Sequence, residues 1–228
     1  MNSIERVNRR LKGEPVDKVP NLNIVMQFAA RYIGVNYEKY CTDYRYLVEG
    51  NIRCCEDFGI DMVSVISDPF REASGMGADV VINYDDVPCC KGHLIKDYTD
   101  IGRLKPVNPC DARRMLDRIK AVELFRVQVG EKYPILGWVE GPFAEACDLR
   151  GVNEMMMDVL DEPEFVSELL EICIEQEVSF ARAQIEAGAD FIGIGDAAAS
   201  LLGPNLYKSF AMPFEKRLIE SVHSMGAK

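Results

Sequence analysis

Short apolar, β-branched runs recur along this chain, and helical sequence separates them. The runs are residues 22–26, 62–66, 135–139 and 191–194. Each run ends at a polar or Gly/Pro loop, and longer amphipathic segments join one run to the next. Short buried strands that alternate with helices form a parallel sheet, because parallel neighbours need a crossover connection. The pattern predicts an α/β fold whose functional side chains lie at the carboxyl ends of the strands.

Signals at the ends of the helical segments are also readable. Asp43 is placed to cap a helix that stops at Gly59, and Pro163 and Gly188 mark the two ends of a long helix. Further helices are predicted over residues 3–12, 111–131, 203–212 and 213–225. Residues 78–84 and 94–98 flank a polar segment that contains glycine, which predicts a β-hairpin inserted after the second strand.

The length of the chain bears on how much of a barrel it can form. A closed (β/α)8 barrel needs about 250 residues or more, and this chain has 228. Its last helical sequence breaks at Gly226-Ala227-Lys228, a turn that typically precedes another parallel strand. We therefore expect one domain, residues 1–228, that holds the amino-terminal half to two-thirds of a TIM barrel and is truncated at its carboxyl end. An open sheet is the alternative.

Composition limits the partners that the chain can have. Its formal net charge of −11 argues against nucleic acid, whose phosphates require clustered Lys and Arg. No apolar run approaches the ~20 residues that span a bilayer, and the polar amino terminus is unlike a signal peptide. Eight cysteines without a secretion signal indicate reduced thiols in a cytoplasmic protein. The open edges of a half-barrel favour association, so a homo-oligomer is expected as one outcome.

A carboxylate follows three of the apolar runs directly. These residues are Asp68, Glu140 and Asp196. If the runs are parallel strands, the side chains meet at one mouth, where their repulsion raises at least one pKa unless a cation binds. Such groups can act as general acid or base, or can hold a metal, a polyamine-like substrate or NH groups. The structural alternative is that each carboxylate pairs separately with an Arg or with backbone N–H groups.

Other polar residues near the strand ends carry weaker signals. Gln27 opens the loop after the first run, and Ser200 ends a stretch of small residues that would let a ligand approach closely. Asp148 can simply pair with Arg150, two positions on. The vicinal pair Cys89-Cys90, together with His93, has the residue types of a zinc site, but a single pair in a hairpin is more often incidental.

Several blocks of the sequence, in order, resemble the uroporphyrinogen decarboxylase superfamily. They are residues 5–20, Phe58-Gly59-Ile60-Asp61, Ser67-Asp68, Gly141-Pro142-Phe143, Leu202-Gly203-Pro204 and residues 210–214. The superfamily includes porphyrinogen decarboxylases and the cobalamin-dependent methyltransferases that move methyl groups to thiols. The resemblance covers the whole chain and implies a (β/α)8 barrel.

Departures from the decarboxylase pattern favour the methyltransferase branch. Decarboxylases carry Arg-Gln-Ala-Gly-Arg after the first strand, and residues 26–31 keep only a Gln, an Ala and the last Arg of it. Asp148 falls near the place of a tyrosine, and residues 196–200 replace a stretch that contains histidine. Asp68 is kept and matches the aspartate that contacts pyrrole NH groups in decarboxylases. The resemblance thus adds to the catalytic candidates a set of expected substrate-binding residues: Gln27, Arg31, Asp148 and Ser200.

The methyltransferase branch implies cofactors and partners as well. It implies a methylcorrinoid as co-substrate, free or held by a corrinoid protein, and a thiol or a folate as methyl acceptor. It also implies zinc held by a His-x-Cys pair and a distal Cys, which would bind the acceptor thiol. That pair would lie beyond Lys228, and none of the eight cysteines matches it. Two alternatives stay open: uroporphyrinogen decarboxylation, and a non-catalytic module that binds a corrinoid protein.

Overall fold

The computed structural model describes residues 1–228. Its strands are β1 (Val63–Ser64), β2 (Val80–Val81), β3 (Cys89–Cys90), β4 (Ile135–Glu140) and β5 (Phe191–Gly195). Strands β1, β4 and β5 form a parallel sheet in that order, with Glu140 opposite Gly195 at its carboxyl edge. The prediction of an α/β fold with a parallel sheet is confirmed, and the strand ends that carry Glu140 and Asp196 are neighbours.

Helices surround this sheet. They are α1 (Ser3–Leu11), α2 (Met26–Tyr32), α3 (Tyr37–Thr42), α4 (Tyr44–Phe58), α5 (Arg71–Met76), α6 (Arg113–Val129), α7 (Pro142–Arg150), α8 (Val152–Asp161), α9 (Pro163–Glu186), α10 (Pro204–Leu206) and α11 (Met212–Ser224). Tight 3₁₀ turns cover Tyr98–Arg103 and Ala197–Leu201, and a π-helical turn covers Tyr207–Ala211. No helix is both long and apolar enough to span a membrane.

The local end signals act as the sequence predicts. The Asp43 carboxylate accepts the backbone N–H of Arg45 at the start of α4, and Gly59 ends that helix with a φ of 63°. Such left-handed backbone suits glycine, which has no Cβ to clash. Pro163 lies in the first turn of α9, where its missing N–H costs nothing.

The prediction of a first strand over residues 22–26 is wrong. No strand forms there, and α2 already begins at Met26. Asn21, just before this run, accepts from the backbone N–H of Asp61 at 2.7 Å, and no residue of the run bonds to β1 through its backbone. Leu22 and Ile24 are 49% and 43% exposed. A strand needs a neighbour with a continuous row of backbone partners, and this apolar run has none.

The hairpin after the second predicted strand is confirmed, but one of its strands was misplaced. β2 pairs with β3, with Val80 opposite Cys90 and Val81 opposite Cys89, so the second strand is not residues 94–98. That segment is tied to α7 instead, because Ile95 N donates to Leu149 O at 3.0 Å. Strand β3 (Cys89–Cys90) therefore pairs with β2, where residues 94–98 were expected to pair.

Close approach between β4 and β5 depends on glycine. A Cβ on Gly193 would stand 2.4 Å from the indole ring of Trp138. A Cβ on Gly141, just after β4, would stand 2.2 Å from the Cβ of Asp196, just after β5. Since real side chains do not approach so closely, these glycines let the two strand ends lie against each other.

Candidate active site

Asp68 lies in the loop after β1 and is 1% exposed. Its Oδ2 accepts from Arg114 Nη2 at 2.6 Å and from Ser67 Oγ at 2.7 Å, and its Oδ1 accepts from Phe70 N at 3.1 Å. Burial raises the pKa of Asp68, but the charges of Arg114 and Arg71 lower it more, so the pKa lies below its ordinary value. Asp68 is therefore an ionised, fully hydrogen-bonded acceptor.

Arg71 begins α5, after the loop that follows β1, and reaches the carboxyl end of β4. This side chain is 1% exposed; its Nη2 donates to Glu140 Oε1 at 3.1 Å, and its Nε donates to Glu72 Oε2 at 3.3 Å. The backbone N–H of Glu140 also donates to Glu72 Oε1, at 3.2 Å. Burial raises the pKa of Glu140 well above its ordinary value, and Arg71 opposes that shift.

Further carboxyl groups lie behind this ion pair. Glu145 on α7 and Glu177 on α9 are both 0% exposed, and none of their carboxyl oxygens has a hydrogen-bond partner. Burial, followed by the charge of Glu72, raises the pKa of both groups well above the ordinary value. The same two causes raise the pKa of Asp148 on α7 to about 8. Burial thus favours the protonated form of all three groups.

We call this set of carboxyl groups the acid cluster. Its members are Asp68, Glu72, Glu140, Glu145, Asp148 and Glu177. They outnumber the guanidinium groups that pair with them, which belong to Arg71 and Arg114. No group of three or more His, Cys, Asp or Glu side chains has an arrangement that could hold a metal ion. The acid cluster is thus suited to holding protons and accepting N–H groups.

Asp196 follows β5 and lies at the amino terminus of α7. Its Oδ1 accepts from Ala144 N at 2.8 Å and its Oδ2 from Phe143 N at 3.4 Å. Burial and the neighbouring Glu215 raise the pKa of Asp196 to about 6. Asp196 makes no hydrogen bond or ion pair with the acid cluster. The carboxyl groups expected at one mouth therefore fall into two adjoining groups.

The predicted substrate-binding residues are dispersed. Asp148 belongs to the acid cluster, whereas Gln27 Nε2 donates to Asp86 Oδ1 of the hairpin at 3.4 Å. Arg31 is exposed on α2. Ser200 is exposed, and its hydroxyl donates to Ala197 O at 2.7 Å. Gln27, Arg31 and Ser200 make no hydrogen bond to the acid cluster.

Two simpler pairings suggested by the sequence are not formed. Arg150 does not pair with Asp148, because its Nε donates to Asp158 Oδ2 at 2.8 Å. Cys90 lies near Asp148, and burial followed by that negative charge raises the pKa of the thiol to about 11. His93 faces Glu154 instead, with 4.0 Å between Nε2 and Oε2.

Sequence reasoning missed half of the acid cluster and both of its cations. Arg71 and Glu72 carry a usable signal, because they begin α5 directly after the loop of Asp68. Glu177 carries another, since its neighbours on the same face of α9 are apolar. Arg114 carries none: it lies 46 residues from Asp68, within ordinary helical sequence.

Comparison with known proteins gives consistent results. The family model for uroporphyrinogen decarboxylase (URO-D) matches residues 2–228. The methylcobamide:CoM methyltransferase MtbA of Methanosarcina mazei is 26% identical over 97% of this chain and 66% of its own length. A uroporphyrinogen decarboxylase of Geobacter sp. (strain M21) is 27% identical over 92% of this chain and 64% of its own length. The chain thus spans slightly less than two-thirds of these relatives.

A solved structure shows the same likeness in three dimensions. A methyltransferase from Methanosarcina mazei superposes with a TM-score of 0.88 at 25% sequence identity. The match covers 97% of this chain and 67% of that one.

Proposed function

The chain belongs to the uroporphyrinogen decarboxylase family and has the fold of part of a (β/α)8 barrel, and we propose that it serves methyl transfer between a methylcorrinoid and a thiol or folate acceptor. Two findings support this choice of branch. A relative named as a methylcobamide:CoM methyltransferase matches 97% of the chain, and so does the structure of a methyltransferase. Decarboxylases match at similar identity, so sequence likeness alone does not separate the two activities.

The charge of the site is the observation that carries the proposal. Uroporphyrinogen is an octa-acid, and a site for it must offer free cations. Here Arg114 is held by Asp68, and Arg71 is held by Glu72 and Glu140. The anion of Asp68, whose pKa lies below its ordinary value, would repel further carboxylates. A corrinoid, whose ring carries neutral amide groups, can instead donate N–H groups to carboxylate acceptors.

The proposal assigns roles to the residues singled out in the sequence. Asp68, Glu140 and Asp196 lie on the face that meets substrate and corrinoid. Asp68 accepts hydrogen bonds as a permanent anion, and Asp148 holds a proton at neutral pH because its pKa is raised to about 8. Gln27, Arg31 and Ser200 contact the bound molecules from the flanking α2 and the turn after β5. The partner is free methylcobalamin or a corrinoid protein.

Zinc is a separate question. The methyltransferase resemblance implies a zinc that binds the acceptor thiol and lowers its pKa. The residues of this chain do not fit such a site, because no three ligand side chains converge anywhere in it. We therefore assign no step of the proposed reaction to zinc.

Methylcobalamin and a small thiol test the proposal directly. We expect loss of the methyl–cobalt absorbance together with formation of the methyl thioether. Release of CO2 from uroporphyrinogen without any corrinoid would decide for decarboxylation. A stable complex with a corrinoid protein, without methyl transfer, would decide for a binding module.

A further inference from the structure

A cavity of about 420 Å³ adjoins the acid cluster at the amino terminus of α6. Its wall includes Ser74 on α5, and Arg113 and Arg114 at the start of α6. We infer that this cavity binds one oxyanion group of a ligand and that, in the proposed methyl transfer, this group is the phosphodiester of a methylcorrinoid that carries a nucleotide. The assignment to the phosphodiester rests on the proposed function, whereas the anion site itself does not.

The start of α6 offers backbone donors that can bind an anion. The residue before the helix is Ala112, whose side chain cannot cap it, and the N–H groups of Arg113 and Arg114 have no hydrogen-bond partner in the chain. Unpaired N–H groups and the helix dipole place partial positive charge at this end of the helix. Phosphate groups bind to helix amino termini through such donors. Ser74, whose hydroxyl can donate as well, lines the same cavity.

Buried guanidinium groups at the cavity wall provide independent support for an anion. Arg118 is 1% exposed, and its Nη1 has no hydrogen-bond partner. Its Nη2 donates to Asp117, a residue of the wall, and side chains on a helix run back toward the amino terminus. The guanidinium group of Arg118 therefore lies toward the cavity. Arg114 Nε is also enclosed without a partner. Buried cationic donors without partners are costly, and an anion in the cavity would reduce that cost.

The charges around the cavity suit an anion with a single charge. Asp111 and Asp117 lie in its wall, and Asp117 is paired with Arg118. An adjoining cavity of about 450 Å³ shares Arg113 and adds Lys39. Arg113 and Lys39 form no ion pair, so beside Asp111 they leave one positive charge in excess. A phosphodiester carries one negative charge, whereas a phosphate monoester carries ~1.5 to 2 near pH 7.

Arg114 connects the cavity to the acid cluster. It lies in the cavity wall, its Nη2 donates to Asp68 Oδ2 at 2.6 Å, and its Nη1 donates to Phe70 O at 3.0 Å. An anion in the cavity is thus separated from Asp68 by one side chain. A corrinoid that carries a nucleotide has a group for each place: neutral amides for the carboxylates, and a phosphodiester for the cavity.

Methylcobalamin and methylcobinamide form a matched pair of probes, because cobinamide has the same ring but lacks the phosphodiester and the nucleotide. Equilibrium dialysis should show that the protein binds methylcobalamin ~5-fold or more tightly than methylcobinamide. Arg113→Glu reverses a charge in the cavity wall, so it should weaken methylcobalamin binding by ~5-fold or more and leave methylcobinamide binding unchanged. Lys120→Glu, the same reversal at an exposed position farther along α6, should leave both unchanged.

A second measurement tests the anion site without a corrinoid. Dimethyl phosphate is a diester with one negative charge. At constant ionic strength it should shift the backbone amide NMR resonances of Arg113 and Arg114 in a saturable way. The same titration of Arg113→Glu should give a much weaker response, and that of Lys120→Glu should match the parent.

The outcomes separate this inference from the proposed function. Equal affinity for the two corrinoids, or an equal loss of both in Arg113→Glu, overturns the phosphodiester assignment, whereas methyl transfer from either corrinoid would still support the proposed function. If neither corrinoid binds, the proposed use of a free methylcorrinoid fails, the phosphodiester assignment fails with it, and the dimethyl phosphate titration decides the anion site alone. The absence of a saturable shift at Arg113 and Arg114 overturns the anion site.

Discussion

Glu177 offers a sharp test of the buried acid cluster, because its charge can be removed with almost no change of shape. The side chain is 0% exposed in the middle of α9, and neither carboxyl oxygen has a hydrogen-bond partner. Burial raises its pKa well above the ordinary value, so folding favours the protonated form of Glu177. The unfolded chain loses this proton above pH ~4.3. Glu177→Gln removes this difference.

The sign and size of the effect follow from proton linkage. Where the folded state holds a proton that the unfolded state has lost, the free energy of unfolding falls by ~1.4 kcal/mol per pH unit. This loss begins near the unfolded pKa and continues up to the folded pKa. Glu177→Gln should therefore gain stability relative to the parent as the pH rises above the unfolded pKa, by up to ~1.4 kcal/mol per pH unit.

Urea unfolding at several pH values measures the effect. The pH dependence is decisive rather than the absolute stability, because a buried Gln amide without partners carries its own cost, which does not vary with pH. Glu175→Gln is the matched control: it makes the same change two positions away, at an exposed site on α9. Parallel curves for the parent and Glu177→Gln would show that Glu177 is ionised in the folded protein and would refute the reasoning.

Other predictions test the remaining parts of the structure. Arg71→Met leaves its carboxylate partners unpaired and buried, and urea unfolding should show a loss of ~3–5 kcal/mol. Asp68→Asn removes the permanent anion that accepts hydrogen bonds at the site, so methyl-transfer turnover should fall by ~10-fold or more; normal turnover would remove Asp68 from the mechanism. Gly193→Ala forces a Cβ against the indole ring on β4, and thermal unfolding should show a loss of ~1–3 kcal/mol. Gly203→Ala, which meets nothing within 4 Å, should be nearly neutral.

Part of this fold could be predicted from the sequence, because helix ends and buried strands depend on residues close together in the chain. The cap at Asp43, the stop at Gly59 and the start at Pro163 act through neighbours a few residues away, so their effects do not depend on the rest of the chain. The runs that became β4 and β5 are apolar and β-branched, and such segments favour burial as strands. Glu140 and Asp196 were placed at strand ends for the same reason.

Only the tertiary structure decided which groups meet. Residues 22–26 have the composition of a strand but no continuous row of backbone partners. Asp68 was expected to face a mouth, and its actual partner, Arg114, lies 46 residues away in sequence. In the sequence, Glu177 is one more charged residue on a helix. Only the packing of α7 against α9 shows that it is buried. Pairing, ionisation and burial depend on groups brought together from distant parts of the chain, and local sequence does not specify that encounter.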